Sequence, residues 1–299
     1  MNVWRIHIRP GGGDPTIAHA NCIDFCLRNE IVGVGWALSA NPTDPFDPDE
    51  VWRLASDPVD GYEPQSLKSF GYALNALTSM KQGDFVWTRD TRGMYYLGRG
   101  TGPYRYTNEE DNRAVDLCNV VPTELHEVGT PSAVPGKVVS AFRPARTVQR
   151  IHGISVTRYS EYLWCTIKGI KKPNLVSENI FDYLDAEEIE DVLFVMLQYE
   201  GYVVFPNGRK GDTMSYEYVL REQNSGQELV TQVKSGNASI DFDSLPENVP
   251  AIVFQPNGYY QGSQPKHVKM VTSEHLIEFM KDQAHLLPQN VQGWLQLTG

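Results

Sequence analysis

The stretch "QELVTQVKSG", Gln227 to Gly236, decides how the second half of this 299-residue chain is read. Side chains alternate along a strand, so Leu229, Thr231 and Val233 share one face and Val230, Gln232 and Lys234 the other. A lysine taken out of water is costly unless something compensates it. A core-like strand that keeps Gln232 and Lys234 on one side is therefore expected to carry chemistry as well as packing.

The flanking sequence predicts an α/β unit. "AEEIEDVLFVMLQYEGY" (Ala186 to Tyr202) reads as a helix with acids in its first turn and a glycine stop at Gly201. Six successive apolar residues, Val192 to Leu197, make that helix buried nearly all round, and Glu190 lies on the same stripe as Leu193 and Leu197. The alternative for Glu190 is a first-turn acid favoured by the helix dipole. Strands are expected at "YVVF", "MSYEYVL", "ELVTQVK", "AIVF" and "HVKMV", then a last helix from Ser273 as N-cap. In "MSYEYVL", Glu217 faces away from Tyr216 and Tyr218, so pairing with "ELVTQVK" brings Glu217 toward Gln232 and Lys234. Oxygen ligands beside a lysine are what a Mg²⁺-dependent phosphodiesterase needs to hold the ion and to serve the water and the phosphate.

Up to about Cys165 the chain reads as short strands and turns. "EIVGVGWAL" (Glu30 to Leu38) is strand-like, and a helix is expected around Leu67 to Met80. "KQGDFVWTRDTRGMYYLGRGTGPYRY" (Lys81 to Tyr106) is β-rich, with "KVVSAF" and "TVQRIHGISV" continuing the sheet. A small barrel with one or two helices fits that pattern.

Composition narrows the class. A 41% hydrophobic fraction permits real cores, no apolar run approaches the roughly 18–20 residues that span a bilayer, and the start lacks an apolar signal region, so a cytoplasmic protein with no membrane partner is expected. Cys22, Cys26, Cys118 and Cys165 form neither a disulfide framework nor a paired CxxC zinc site, and His19 near Cys22 is a weak metal pattern. "GRKGDT" has the wrong order and spacing for a phosphate-binding loop of an ATPase, and no period of roughly 20–50 residues repeats. The net charge is −11, yet Lys137 to Lys172 holds eight cations against the single acid Glu161. A positive band on an acidic protein fits contact with a phosphate backbone in one place, here through Arg146, Arg150, Lys171 and Lys172; the competing reading is a solvated, acid-paired face.

The ordered set "IEDVLFVMLQYEGYVVF…KGDTMSYEYVLRE…ELVTQVKSG" resembles the Mrr-type branch of the PD-(D/E)XK restriction endonucleases over about the last 120 residues. Glu190 matches the family's helix glutamate, Gly201-Tyr202 the helix end, Gly211-Asp212 the turn, and Gln232-Val233-Lys234 the Gln-x-Lys. The family's strand acid falls on Tyr216, and the nearest acid is Glu217 one place later, so Asp212 and Glu217 both stand as metal ligands. The resemblance implies Glu190, Asp212, Glu217, Gln232 and Lys234 as catalytic residues, with Mg²⁺ or Mn²⁺ held by Asp212, Glu217, Gln232 and the carbonyl of Val233.

"VGVGW", "QGDFVWT" and "YLGRGTGPYRY" look like the PUA-like, EVE-type barrels found beside restriction nucleases, although Leu117 stands where a tryptophan is expected after Arg113-Ala-Val115. Such a barrel holds one flipped base among aromatic rings, for which Trp36, Trp87, Tyr95, Tyr96, Tyr104 and Tyr106 are the candidates; for any one ring, ordinary core packing competes. The expectation is an α+β two-domain protein. Residues 1–170 form a PUA-like β-barrel that reads a modified or flipped base, and residues 171–299 an α/β restriction-endonuclease-like nuclease of antiviral defence, acting on DNA and, as a nuclease cutting both strands, as a homodimer. A nucleic-acid or nucleotide sensor with a degraded site, and a nuclease acting on RNA, are the alternatives the sequence leaves open.

Overall fold

The computed structural model describes residues 1–8, 19–144, 146–174, 177, 179–205 and 216–298. The chain is mixed α/β and divides into two compact units, Met1–Asn174 and Leu175–Gly299. Among the described residues no helix is long and apolar enough to cross a membrane.

The first unit is built on one sheet. Its strands are β1 (Val3–Ile6), β2 (Ile31–Val34), β3 (Phe85–Arg89), β4 (Tyr95–Gly100), β5 (Arg105–Tyr106), β6 (Asn119–Gly129) and β7 (Val148–Ile151), in the order β2-β6-β4-β3-β1-β7 with β5 also on β6. Alternation along the strands makes two cores. Trp4, Ile6, Val86, Tyr96 and Val120 pack on one side with α1 (His19–Asn29), α2 (Pro48–Ala55) and α3 (Pro64–Ser79). Val3, Phe85, Trp87, Tyr95 and Leu97 point the other way, against α5 (Gly136–Ala141) and α6 (Ile154–Lys168), while the short α4 (Glu110–Ala114) precedes β6.

Among the described residues this unit has six helices, α1 to α6, where one or two were expected, and two stretches read as strands are helical in whole or part: "KVVSAF" is α5, and "TVQRIHGISV" is β7 followed by the start of α6. Short runs rich in β-branched residues suit a strand or a buried helix alike, and nothing in six residues separates the two. The Gly83-Asp84 turn is a structural lock. Burial alone would raise the Asp84 carboxyl, but the Trp4 indole N–H at 3.0 Å and the Asn2 amide at 2.7 Å hold it below its ordinary value.

The second unit carries α7 (Ala186–Tyr199), β8 (Tyr202–Phe205), β9 (Tyr218–Glu222), β10 (Glu228–Val233), β11 (Ile240–Asp241), β12 (Ala251–Phe254), β13 (Tyr260–Gln261), β14 (Val268–Met270), α8 (Ser273–Asp282) and α9 (Gln289–Thr298). Its main sheet runs β14-β12-β10-β9-β8; β10 is central, parallel to β12 and antiparallel to β9. Helix α7 covers one face, with the Phe194 ring 3.8 Å from Tyr218. On the other face Val230, Ala251 and Val253 pack with Ile240, Phe242 and Tyr260 from the segment that pairs β11 with β13.

The helix signals operate as physical chemistry requires. Asp185 and Glu188 form a reciprocal capping box at the start of α7, and Gly201 takes φ 95° just past its end. The cap of α8 is Thr272 rather than Ser273, whose hydroxyl instead bonds the Pro256 carbonyl at 2.7 Å.

Trp87 is fully buried, and its indole N–H donates to Ser160 on α6 at 3.0 Å. Replacing Trp87 with alanine should destabilise the chain by about 3–5 kcal/mol, read as a lower denaturant midpoint. An unchanged midpoint would contradict this packing.

Candidate functional site

Strand β10 places the polar pair. Its amides at Val230 and Lys234 bond to the Pro250 and Phe254 carbonyls on the β12 side, so alternation turns the N–H and C=O of Val233 toward β9. Gln232 and Lys234 lie on the Val230 face. Lys234 stands at the carboxyl end of parallel strands β10 and β12, the end where open α/β sheets form their sites.

Glu217 meets Lys234 through a bulge. The Glu217 N–H bonds the Thr231 carbonyl at 2.7 Å, although the register partner of Thr231 is Tyr218. Two successive residues thus face one partner, which re-aims a side chain and absorbs one extra residue. Lys234 Nζ reaches Glu217 Oε1 at 3.2 Å, with both side chains about one-third exposed. That ion pair answers the compensation question of Lys234 in the folded chain.

Gln232 is the unbalanced member. It is 7% exposed, and its Oε1 is buried without a hydrogen-bond donor among the described residues. An amide oxygen left this way costs about 1–3 kcal/mol, unless a donor or a cation meets it.

The loops beyond β10 and β12 are stitched by Gln255, which sequence reasoning missed. Its Nε2 donates to the carbonyls of Gly236 at 2.9 Å and Ala238 at 3.1 Å, while Oε1 accepts from Asn257 N at 2.6 Å and Tyr259 N at 3.1 Å. A glutamine directly after the apolar run "AIVF" was the available signal.

Glu190 is half-buried on α7, one turn before Phe194 and its contact with Tyr218. The buried acid of that helix is Glu188, whose Oε1 accepts from Asn290 on α9 at 2.5 Å. Asp212 and the Gly211-Asp212 turn lie outside the described residues. Among the described residues no group of three or more His, Cys, Asp or Glu side chains could hold a metal ion. The oxygens at this end of β10 are of another kind: the Glu217 carboxylate at Lys234, the buried amide oxygen of Gln232 on the Val230 face and the carbonyl of Val233 directed toward β9. Oxygen donors of this sort suit a hard divalent cation.

In the first unit the rings sort into core and edge. Trp87, Tyr95, Tyr96, Tyr104 and Tyr106 are all at most 4% exposed, so for these five the structure favours core packing over open base stacking. The physical reason differs between them. Trp87 and Tyr95 fill the core under α5 and α6, whereas Tyr106 spends its hydroxyl on the loop after β2 and Tyr104 on Asn119 of β6. Tyr106 Oη accepts from Leu38 N at 2.7 Å, Tyr104 donates to Asn119 Oδ1 at 2.8 Å, and the Asn119 amide in turn donates to the carbonyls of Gly35 and Trp36. Tyr62 donates to the Ala37 carbonyl at 2.6 Å.

The loop so held presents Trp36. It is partly exposed, takes φ 62°, donates its indole N–H to Ser66 at 3.0 Å and stacks on Phe70 at 5.1 Å. A non-glycine residue in the left-handed region persists only where its surroundings hold it there. A Cβ on the preceding Gly35 would collide with the Asp116 carboxylate, so the Gly-Trp pair is a steric requirement of this loop.

The cations of the band flank α6. Arg146 and Arg150 are exposed around β7, and Lys171 and Lys172 follow the other end of the helix, roughly 22 Å away at 1.5 Å per residue. Arg158 and Lys168 are paired with Glu161 at 3.1 Å and Glu124 at 2.6 Å. The four cysteines are buried and joined by no disulfide; burial pushes the Cys22 thiol up to about 11 and Cys118 up to about 12, which removes these two as nucleophiles near neutrality. The His19 side chain lies outside the described residues.

Comparison with family models, curated proteins and solved structures found no match to this chain.

Proposed function

We propose that this chain is a Mg²⁺-dependent endonuclease of the restriction type, with a first unit that reads a base in DNA and a second that hydrolyses the phosphodiester bond. The observation that carries the reading is the buried Oε1 of Gln232, which has no donor among the described residues, on the strand that leads to Lys234 and its ion pair with Glu217. An amide oxygen, a carboxylate and a backbone carbonyl beside one ammonium group form an oxygen site with a cation next to it.

Glu217, Gln232 and the Val233 carbonyl, joined by Asp212, would hold Mg²⁺ or Mn²⁺. The ion supplies Lewis-acid stabilisation of the phosphate and a more acidic water. Lys234 stabilises charge developing on the phosphoryl oxygens and orients the attacking water, and Glu217 keeps the ammonium in place when no substrate is bound. Glu190 adds negative charge from the helix side of the sheet. Base recognition falls to Trp36, the one partly exposed ring of the six, on a loop already fixed by Asn119, Tyr62 and Tyr106.

One observation favours a second reading. Lys234 is already neutralised by Glu217, and the described acids do not gather into a metal cluster, as a sensor that binds nucleic acid without cutting would have it. Cleavage assays with modified DNA, unmodified DNA and RNA, with Mg²⁺ or with chelator, separate the readings: a sensor retains affinity in chelator and never cuts.

Three outcomes are expected. Lys234→Ala should lower cleavage by about a hundredfold or more with near-native DNA affinity, and Glu217→Ala and Asp212→Ala should show which acid governs the Mg²⁺ dependence. Undiminished cutting by the lysine variant would sink the nuclease proposal. Trp36→Ala should erase base preference while leaving the unfolding midpoint nearly intact; persistence of the preference would move recognition elsewhere. Neutralising Arg146, Arg150, Lys171 and Lys172 together should weaken binding to all sequences about equally and make the log affinity against log salt slope shallower, by about 0.9 for each duplex phosphate that the chain no longer neutralises. An unchanged slope would leave the band a solvated face.

A further inference from the structure

Lys234 is the first residue beyond β10, and Gln255 the first beyond β12. The ladder between the two strands continues past both ends. Within it Val230 is in register with Ala251 and donates its amide to the carbonyl of the preceding residue, Pro250. The Lys234 amide donates to the Phe254 carbonyl in the same way at 3.1 Å, which puts Lys234 in register with Gln255. Lateral neighbours of a ladder point to the same face, so the Gln255 side chain leaves the sheet on the side of Lys234.

From there its amide closes the turn that follows Lys234. Gln255 is 2% exposed, and its amide uses both hydrogens, on the carbonyls of Gly236 and Ala238, and both lone pairs, on the amides of Asn257 and Tyr259. The turn's own bond, from the Ala238 amide to the Ser235 carbonyl, is 3.2 Å long, and the Asn257 side chain adds a second donor to Gly236 at 2.9 Å. Packing leaves the Lys234 side chain about one-third exposed, so the place of its ammonium depends on the course of the backbone beyond β10. Gln255 holds that backbone.

We infer that Gln255 is a positioning residue. By clamping residues 236–238 to the loop after β12, it fixes the Lys234 ammonium against Glu217 and, during cleavage, at the phosphate. Gln255 itself touches neither the ion nor the phosphate. Its catalytic consequence rests on the nuclease reading, whereas its hold on Lys234 does not.

Two measurements on the full chain test this role. The first compares rates of reductive methylation, read by mass spectrometry, at Lys234 and at the exposed Lys81 of the first unit. The wild-type chain is set against Gln255→Ala and Asn257→Ala, the latter a change of an exposed side chain that removes one of the two donors on Gly236. Lys234 should react several times faster in Gln255→Ala and by a smaller factor in Asn257→Ala, with Lys81 unchanged, because an ammonium released from its carboxylate yields the reactive amine more readily. Should Gln255→Ala not fold, Asn257→Ala carries the comparison. Equal Lys234 rates in the folded wild-type and variant chains would overturn the inference.

The second measurement follows cleavage. Gln255→Ala should lower kcat by about tenfold to a hundredfold with KM unchanged, the loss that a misplacement of about 1 Å produces. Gln255→Glu keeps the shape but offers no donor while ionised. Its activity relative to wild type should recover as pH falls and the buried carboxyl takes up a proton that can bond the Gly236 carbonyl. A purely structural role would lower the unfolding midpoint of both variants, and the folded variants would keep the kcat and pH profile of the wild type, which also counts against the inference. A wild-type chain that cuts no nucleic acid removes the nuclease reading, while the Lys234 rates still decide whether Gln255 positions the lysine.

Discussion

The pairing of β10 with neighbours on both sides is the constraint on which the second unit depends. Its register with β12 fixes Gln232 beside Val253, and its register with β9 fixes Thr231 opposite Tyr218. A slip of one residue would send Gln232 and Lys234 to the α7 face and Thr231 and Val233 away from it. Both faces are covered, by α7 on one side and by the β11–β13 segment on the other, so such a slip would exchange apolar for polar side chains in two cores at once. The site residues are held in place by the same hydrogen bonds that build the sheet.

The bulge at Glu217 gives a physical meaning to the misplaced acid. The resemblance to restriction endonucleases would put a strand acid at Tyr216, and the nearest acid in this chain is Glu217. In the fold the Glu217 amide bonds the Thr231 carbonyl although Thr231 is in register with Tyr218, and a bulge of this kind is how an antiparallel pair absorbs a residue without losing its register. The displacement therefore leaves the carboxylate within 3.2 Å of Lys234.

Much of this was legible in the sequence, because some signals depend only on local chemistry. The α7 boundaries followed from first-turn acids and Gly201, and the strands "YVVF" and "AIVF" were as expected. What could not be read was decided by partners far along the chain. Choosing Glu190 as the inward acid came from a helical stripe, whereas burial of Glu188 is set by Asn290, 102 residues away. The tyrosines of "GPYRY" carry aromatic surface that suits a base pocket or a core equally. Only their hydroxyl partners, Asn119 and the Leu38 amide, show them to be supports of the Gly-Trp loop. Helices α5 and α6 were hidden for a third reason, since β-branched residues on a short run satisfy both periods.

On the proposed reading the first unit would separate two kinds of recognition by charge. The loop bearing Trp36 follows β2, and the cations flank β7; these are the two ends of the strand order of a single sheet. Near the loop two carboxylates stand beside one guanidinium: Asp60 accepts from Ser39 at 2.6 Å and Asp116 lies against Gly35, while Arg113 donates to the Leu38 carbonyl at 3.5 Å. Carboxylates there would repel a phosphate backbone but not the neutral face of a base, whose stacking on an indole depends on contact and polarisability. Around β7 the balance is opposite, with Arg150 and His152 lining a cleft that holds one acid. On the proposed reading, a chain with a net charge of −11 would meet an anionic polymer through that restricted surface, and the net charge of the whole would work against adhesion elsewhere. Under the proposed function such a division would make affinity strongly salt-dependent while leaving base preference nearly insensitive to salt, because the two would rest on groups at different ends of the strand order.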